Sequence, residues 1–128
     1  MKKRKKEINI TIKRVLIIQE DAIMLKILEY LFLSLDFQVK AVESFTEIEL
    51  EDQHVFYDVV ITDILFEAIS PTEFIINLQE SINTDNIIVV SNMGQEKVRK
   101  NIFALPGVKG FYGIPFDMDL LKQQIEEL

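Results

Sequence analysis

At 128 residues, 48% hydrophobic and 27% charged, the chain is long enough for one domain with a single core, and its balance is that of a soluble globular protein. It has no cysteine, which excludes a disulfide framework and a thiolate metal site; it also lacks a signal-peptide pattern and any apolar run near the roughly 20 residues of a membrane span, so a cytoplasmic domain with no membrane partner is expected. The net charge of -7 is uneven: residues 1–14 hold seven Lys/Arg and one acid, while residues 15–128 hold seven Lys/Arg and twenty acids, a balance of -13 that disfavours nucleic acid as a partner.

Residues 1–13 read as a basic N-terminal extension ahead of a domain over 14–128, with Lys2 to Lys6 a solvated arm. Ile8, Ile10 and Ile12 alternate with polar residues, a half-buried strand pattern that extends the first core strand backwards. That strand, Val15-Leu16-Ile17-Ile18, ends in Gln19-Glu20-Asp21. Asp21 is placed to cap a helix whose apolar positions are Ile23, Ile27, Leu28, Leu31 and Leu35. Asp36 and Phe37 turn the chain into a short strand from Gln38 to Val42. Ser44-Phe45-Thr46-Glu47 has the form of a capping box and predicts a short acidic helix near residues 45–52.

The central stretch is Tyr57-Asp58-Val59-Val60-Ile61-Thr62-Asp63, a β-branched run suited to burial on both faces of a parallel sheet, with Asp63 at its C-terminal end. Ser70-Pro71-Thr72-Glu73 opens a helix that buries Phe74, Ile75 and Leu78. Ile87-Ile88-Val89-Val90 is the fourth strand and ends in Ser91-Asn92. Asn92 to Gln95 leads into a helix stopped by Pro106-Gly107, and Lys109 to Gly113 forms the last strand. Asp117 caps a closing helix through Leu120, Leu121 and Ile125, on which the chain stops, so any output domain is expected to be absent from this chain. The order is βα five times, and right-handed crossovers then put helices on both faces of a parallel sheet. Three buried strands ending in acid, acid and hydroxyl predict one polar site at the C-terminal sheet edge, where such sheets hold their ligands.

Over residues 14–128 the sequence resembles the receiver domain of two-component response regulators. The matching segments are Val15 to Asp21, Asp58 to Asp63, Ile88 to Asn92 and Gly107 to Phe116. The resemblance implies an α/β, flavodoxin-like, doubly wound five-stranded parallel sheet of order 2-1-3-4-5 with helices on both faces. It implies no enzyme but a phosphoacceptor, Asp63, that takes its phosphoryl group from a histidine kinase or phosphotransfer protein. Ser91 matches the phosphate ligand and Phe111 the switch aromatic. Glu20 and Asp63 match Mg²⁺ ligands, with the backbone carbonyl of Leu65 and, weakly or through water, Gln19. A downstream protein, or a second copy, is expected on the face from Gln95 to Leu128.

Three positions depart from the family pattern. Gln19 offers a neutral carbonyl where a carboxylate is usual, so Mg²⁺ should be held weakly. Ile114 stands where a Lys pairs with the phosphoryl group; at about 4 Å and an effective dielectric near 20 that pair is worth about 4 kcal/mol before desolvation. Lys109 starts the same strand and does not replace it. Glu67 stands where Pro is common and adds an anion. The two charge losses offset each other, since two carboxylates and one Mg²⁺ still sum to zero. His54 has no evident role, and Met93 and Met118 read as packing or partner-surface residues.

Other function classes fit less well. A flavin site would need a Ser/Thr/Gly phosphate loop where Gln19-Glu20-Asp21 is acidic, and no Gly-rich Lys loop for nucleotides is present. A metal-dependent phosphatase would carry an acid where Leu65 stands. The rival is a receiver that works without phosphate, as an interaction module.

Overall fold

The structure is a computed structural model that describes residues 12–64, 66, 69–92 and 94–128. Strand β1 (Arg14–Ile18) lies inside a parallel sheet, paired with β2 (Gln38–Val42) on one side and with the central strand β4 (Val59–Thr62) on the other. Beyond β4 come β6 (Ile87–Ser91) and β7 (Val108–Gly113), giving the order β2-β1-β4-β6-β7. Two short strands, β3 (Phe56–Tyr57) and β5 (Asn83–Thr84), pair separately. Counting only the five long strands, the order is the expected 2-1-3-4-5, and the fold is α/β and flavodoxin-like.

The continuous apolar strands are buried on both faces because a helix layer covers each one. On one face α1 (Ala22–Ser34) and α4 (Met118–Glu127) bury Leu28, Phe32, Leu121 and Ile125 against Val15, Ile17, Val59 and Ile61. On the other, α2 (Pro71–Ser81) and α3 (Glu96–Phe103) bury Phe74, Ile75, Leu78 and Ile102 against Leu16, Ile18, Val60 and Val89. Each such side chain contributes about 1.5–3 kcal/mol of hydrophobic stabilisation.

The helix starts follow local chemistry. Asp21 accepts from the N–H groups of Ile23 and Met24, Ser70 from that of Glu73, and Asp117 from that of Asp119. Helix α1 gives way to β2 through Asp36, whose φ of 65° an Asp side chain tolerates. Gly107, at φ 89°, turns the chain into β7, where a side chain would be strained.

Several expectations need correction. Residues 45–54 form two 3-10 turns, Phe45–Glu47 and Leu50–His54, in place of one α-helix. Ser44 makes no cap, because Glu47 Oε1 accepts from the N–H of Glu43 and the Ser44 hydroxyl pairs with Thr46. The capping box forms at Glu49 and Asp52 instead. Of the apolar positions expected in α1, Leu28 is buried and Leu31 and Leu35 pack against the core, but Ile23 is 74% and Ile27 39% exposed, and Phe32 is buried in their place. Leu120 is likewise 57% exposed. Ile12 lies before β1 and in no strand, and Ile8 and Ile10 are outside the described residues, as is the basic arm.

Candidate functional site

Parallel pairing brings the ends of four strands to one edge. Ile18 of β1 is in register with Thr62 of β4, and the Asp63 N–H donates to the Ile18 carbonyl at 3.0 Å. Gln19 and Glu20 therefore leave β1 beside the point where Asp63 leaves β4. Across the sheet Ser91 ends β6 in register with Gly113, and the Ile114 N–H donates to the Ser91 carbonyl at 3.0 Å. Glu20, Asp63, Ser91 and Ile114 all stand at the C-terminal edge. Asp63 is half-buried and its Oδ1 accepts from the N–H of Ile64 at 2.6 Å.

The carboxylate side of this edge differs from expectation in one respect. Gln19 is only 2% exposed; its Oε1 accepts from the Asp21 N–H at 3.2 Å, and its Nε2 has no hydrogen-bond partner among the described residues. The oxygen that a metal would use is thus shared with a backbone donor, and the buried orphan is itself a donor. Glu20 is exposed and has no ion pair among the described residues. No group of three or more His, Cys, Asp or Glu forms a metal-holding cluster among the described residues. Mg²⁺ needs only one or two carboxylates, completed by water and phosphate oxygens, so Glu20 and Asp63 fit a weakly held ion. Leu65, the expected carbonyl ligand, and Glu67 and Met93 are outside the described residues.

The other side of the edge is closed and apolar. Ser91 is fully buried. Ile114, joined to Pro115 by a cis bond, packs with the cluster that includes Phe32, Val90 and Leu121, where Met118 also lies. Phe111 is 7% exposed and turned into the opposite cluster, in register with Val89. The guanidinium carbon of Arg99, an exposed residue of α3, lies 5.0 Å from the Phe111 ring centroid. This cation–π contact was not foreseen: nothing in the helical pattern of α3 says which strand residue Arg99 will cover. Tyr112, next along β7, donates its hydroxyl to Gln124 of α4, and burial raises its pKa.

The response regulator receiver domain family model matches residues 15–126. No curated protein matches the chain. Among solved structures, a response regulator receiver protein from Pseudomonas putida is 20% identical with a TM-score of 0.78, covering 93% of this chain and 99% of that one. A response regulator from Thermotoga maritima is 19% identical with a TM-score of 0.75, covering 91% and 97%. The chemotaxis protein CheY4 of Vibrio cholerae is 16% identical with a TM-score of 0.72, covering 91% and 98%. At these identities the three structures are likenesses of fold.

Proposed function

The chain belongs to the response regulator receiver domain family, and from that premise we propose that Asp63 accepts a phosphoryl group, slowly, from a histidine kinase or phosphotransfer protein. The observation that carries this reading is the half-buried carboxylate of Asp63 at the end of the central strand, with Glu20 beside it and Ser91 one strand over. A carboxylate oxygen of Asp63 attacks phosphorus; the P–N bond of the donor phosphohistidine breaks, and its electron pair stays on the imidazole nitrogen. Asp63 then carries an acyl phosphate. Bound at Glu20 and Asp63, Mg²⁺ would supply positive charge to the phosphoryl oxygens. The chain's own residues position the nucleophile and the Ser91 hydroxyl but bring no cation through Ile114, which is why transfer is slow.

A second reading is favoured by Phe111. The aromatic is already inward and capped by Arg99, so the face from Gln95 to Leu128 can hold a partner-ready arrangement without phosphate. On that reading the domain is an interaction module and Asp63 is incidental. Adding beryllofluoride with Mg²⁺ and following the amide NMR signals of Asp63, Ser91 and Phe111 separates the two. Saturable shifts at all three support phosphoryl acceptance; shifts at none of them support the module.

A further inference from the structure

The first of the two 3-10 turns in residues 45–54 borders an opening that Glu20 of the candidate site also lines. From this segment Ile48 is buried, at 8% exposure, and Phe45 packs against the cluster edge. The opening is a cavity of about 310 Å³ lined by Phe45, Phe66, Phe74, Ile69 and Leu78, with Glu20 among its few polar groups. That volume and lining fall within the range of small-ligand sites, about 300–1,000 Å³ and largely apolar.

The lining also says what charge the occupant carries. Phe45 and Phe66 flank Phe74, with ring centroids 6.2 Å and 4.6 Å from it. Packed on one another in this way, the rings form an apolar wall suited to the hydrocarbon part of a ligand. Glu20 adds a carboxylate with no ion pair among the described residues. The balance of -13 over residues 15–128 repels anions from the same surface. From this combination we propose that the cavity binds a small apolar amine, its hydrocarbon part among the phenyl rings and its ammonium group against Glu20. The proposal does not rest on phosphoryl transfer and shares only Glu20 with it.

The test uses the full chain, with phenethylamine as the probe and its matched acid and alcohol, hydrocinnamate and phenethyl alcohol, as controls. Amide NMR should show saturable shifts at Thr46, Phe66 and Asn77 with the amine, about fivefold to tenfold weaker binding of the alcohol, and no binding of the acid. Glu20→Gln should bring the amine down to the affinity of the alcohol. Asn77 is an exposed α2 residue on the rim, so Asn77→Trp should fold normally, block the cavity and abolish the shifts. Asn77→Trp leaves Asp63 untouched, and its beryllofluoride response should equal that of the parent, which separates the two readings. No saturable shift with the amine, equal binding of the acid, or amine shifts that persist in Asn77→Trp would each overturn the proposal.

Discussion

The β1–β4 half of the C-terminal sheet edge and the β6–β7 half offer a phosphoryl group opposite things. The first half is polar and partly open: Asp63 is half-buried, Glu20 is exposed, and Gln19 keeps a buried amide nitrogen with no partner among the described residues. The second is closed: Ser91 is fully buried, Phe111 faces inward under Arg99, and Ile114 belongs to an apolar cluster. Relative to the family pattern each half has lost one charge, a carboxylate at Gln19 and an ammonium at Ile114. On the reading proposed above, the site stays near electrostatic balance while losing chemistry. Neutrality is a property of the sum, whereas phosphoryl transfer needs cations placed where charge develops.

Restoring both charges is the strongest way to break the contrast. Gln19→Asp with Ile114→Lys should raise phosphorylation of Asp63 by a small-molecule phosphodonor on the order of 10²-fold, and should tighten Mg²⁺ binding with it. Either change alone should do less, since each leaves the site off balance by one charge. The new Lys can lay its stem along the apolar cluster and extend its ammonium to the edge. A double variant as slow as the parent would mean that the closed geometry of the β6–β7 half, and not its missing cation, limits the reaction.

Removing the cap over Phe111 tests how firmly that half is closed. Arg99→Ala should cost about 0.5–1 kcal/mol, read from the urea midpoint, as expected for an exposed cation–π contact. The Phe111 ring should then show exchange broadening in NMR as it samples an outward position. An unchanged Phe111 spectrum would assign its inward position to the surrounding cluster alone.

The smallest expected effect is a pH dependence carried by two tyrosines away from Asp63. Burial raises the pKa of Tyr112. Tyr57, at the far end of the sheet, is raised first by burial and then by Asp52, with Arg14 pulling it down. In both, folding favours the neutral phenol. Their contribution is therefore complete below the unfolded value of about 10 and is lost as pH rises through the higher folded values. Urea midpoints should hold from about pH 8 to about pH 10 and then fall, and Tyr112→Phe should lessen the fall. A midpoint that falls equally in Tyr112→Phe would remove that tyrosine as a cause.

Much of the architecture is legible in the chain because one physical rule decides it locally. Val15–Ile18, Val59–Thr62 and Ile87–Ser91 are continuous apolar runs with polar ends, so their burial and the placement of Glu20, Asp63 and Ser91 at one edge follow from parallel pairing. The Ser70-Pro71 start is equally plain, since its cap, its proline and its Glu73 agree.

What the chain leaves open are choices between near-equal local options. Helix α1 is apolar around most of its circumference, so periodicity alone cannot choose Leu28 and Phe32 over Ile23 and Ile27; docking on β1 and β4 chooses. Around residues 43–54 two capping arrangements compete, and the one that forms has Glu49 and Asp52 within 4.0 Å and 3.4 Å of Lys40 on the neighbouring strand β2. The cavity is bordered by Ser44, Phe45 and Thr46, whose positions depend on how that competition ended. Arg99 reaches Phe111 only once β7 is in register with β6 and α3 is packed above both, a relation between distant backbones that no single stretch of sequence encodes.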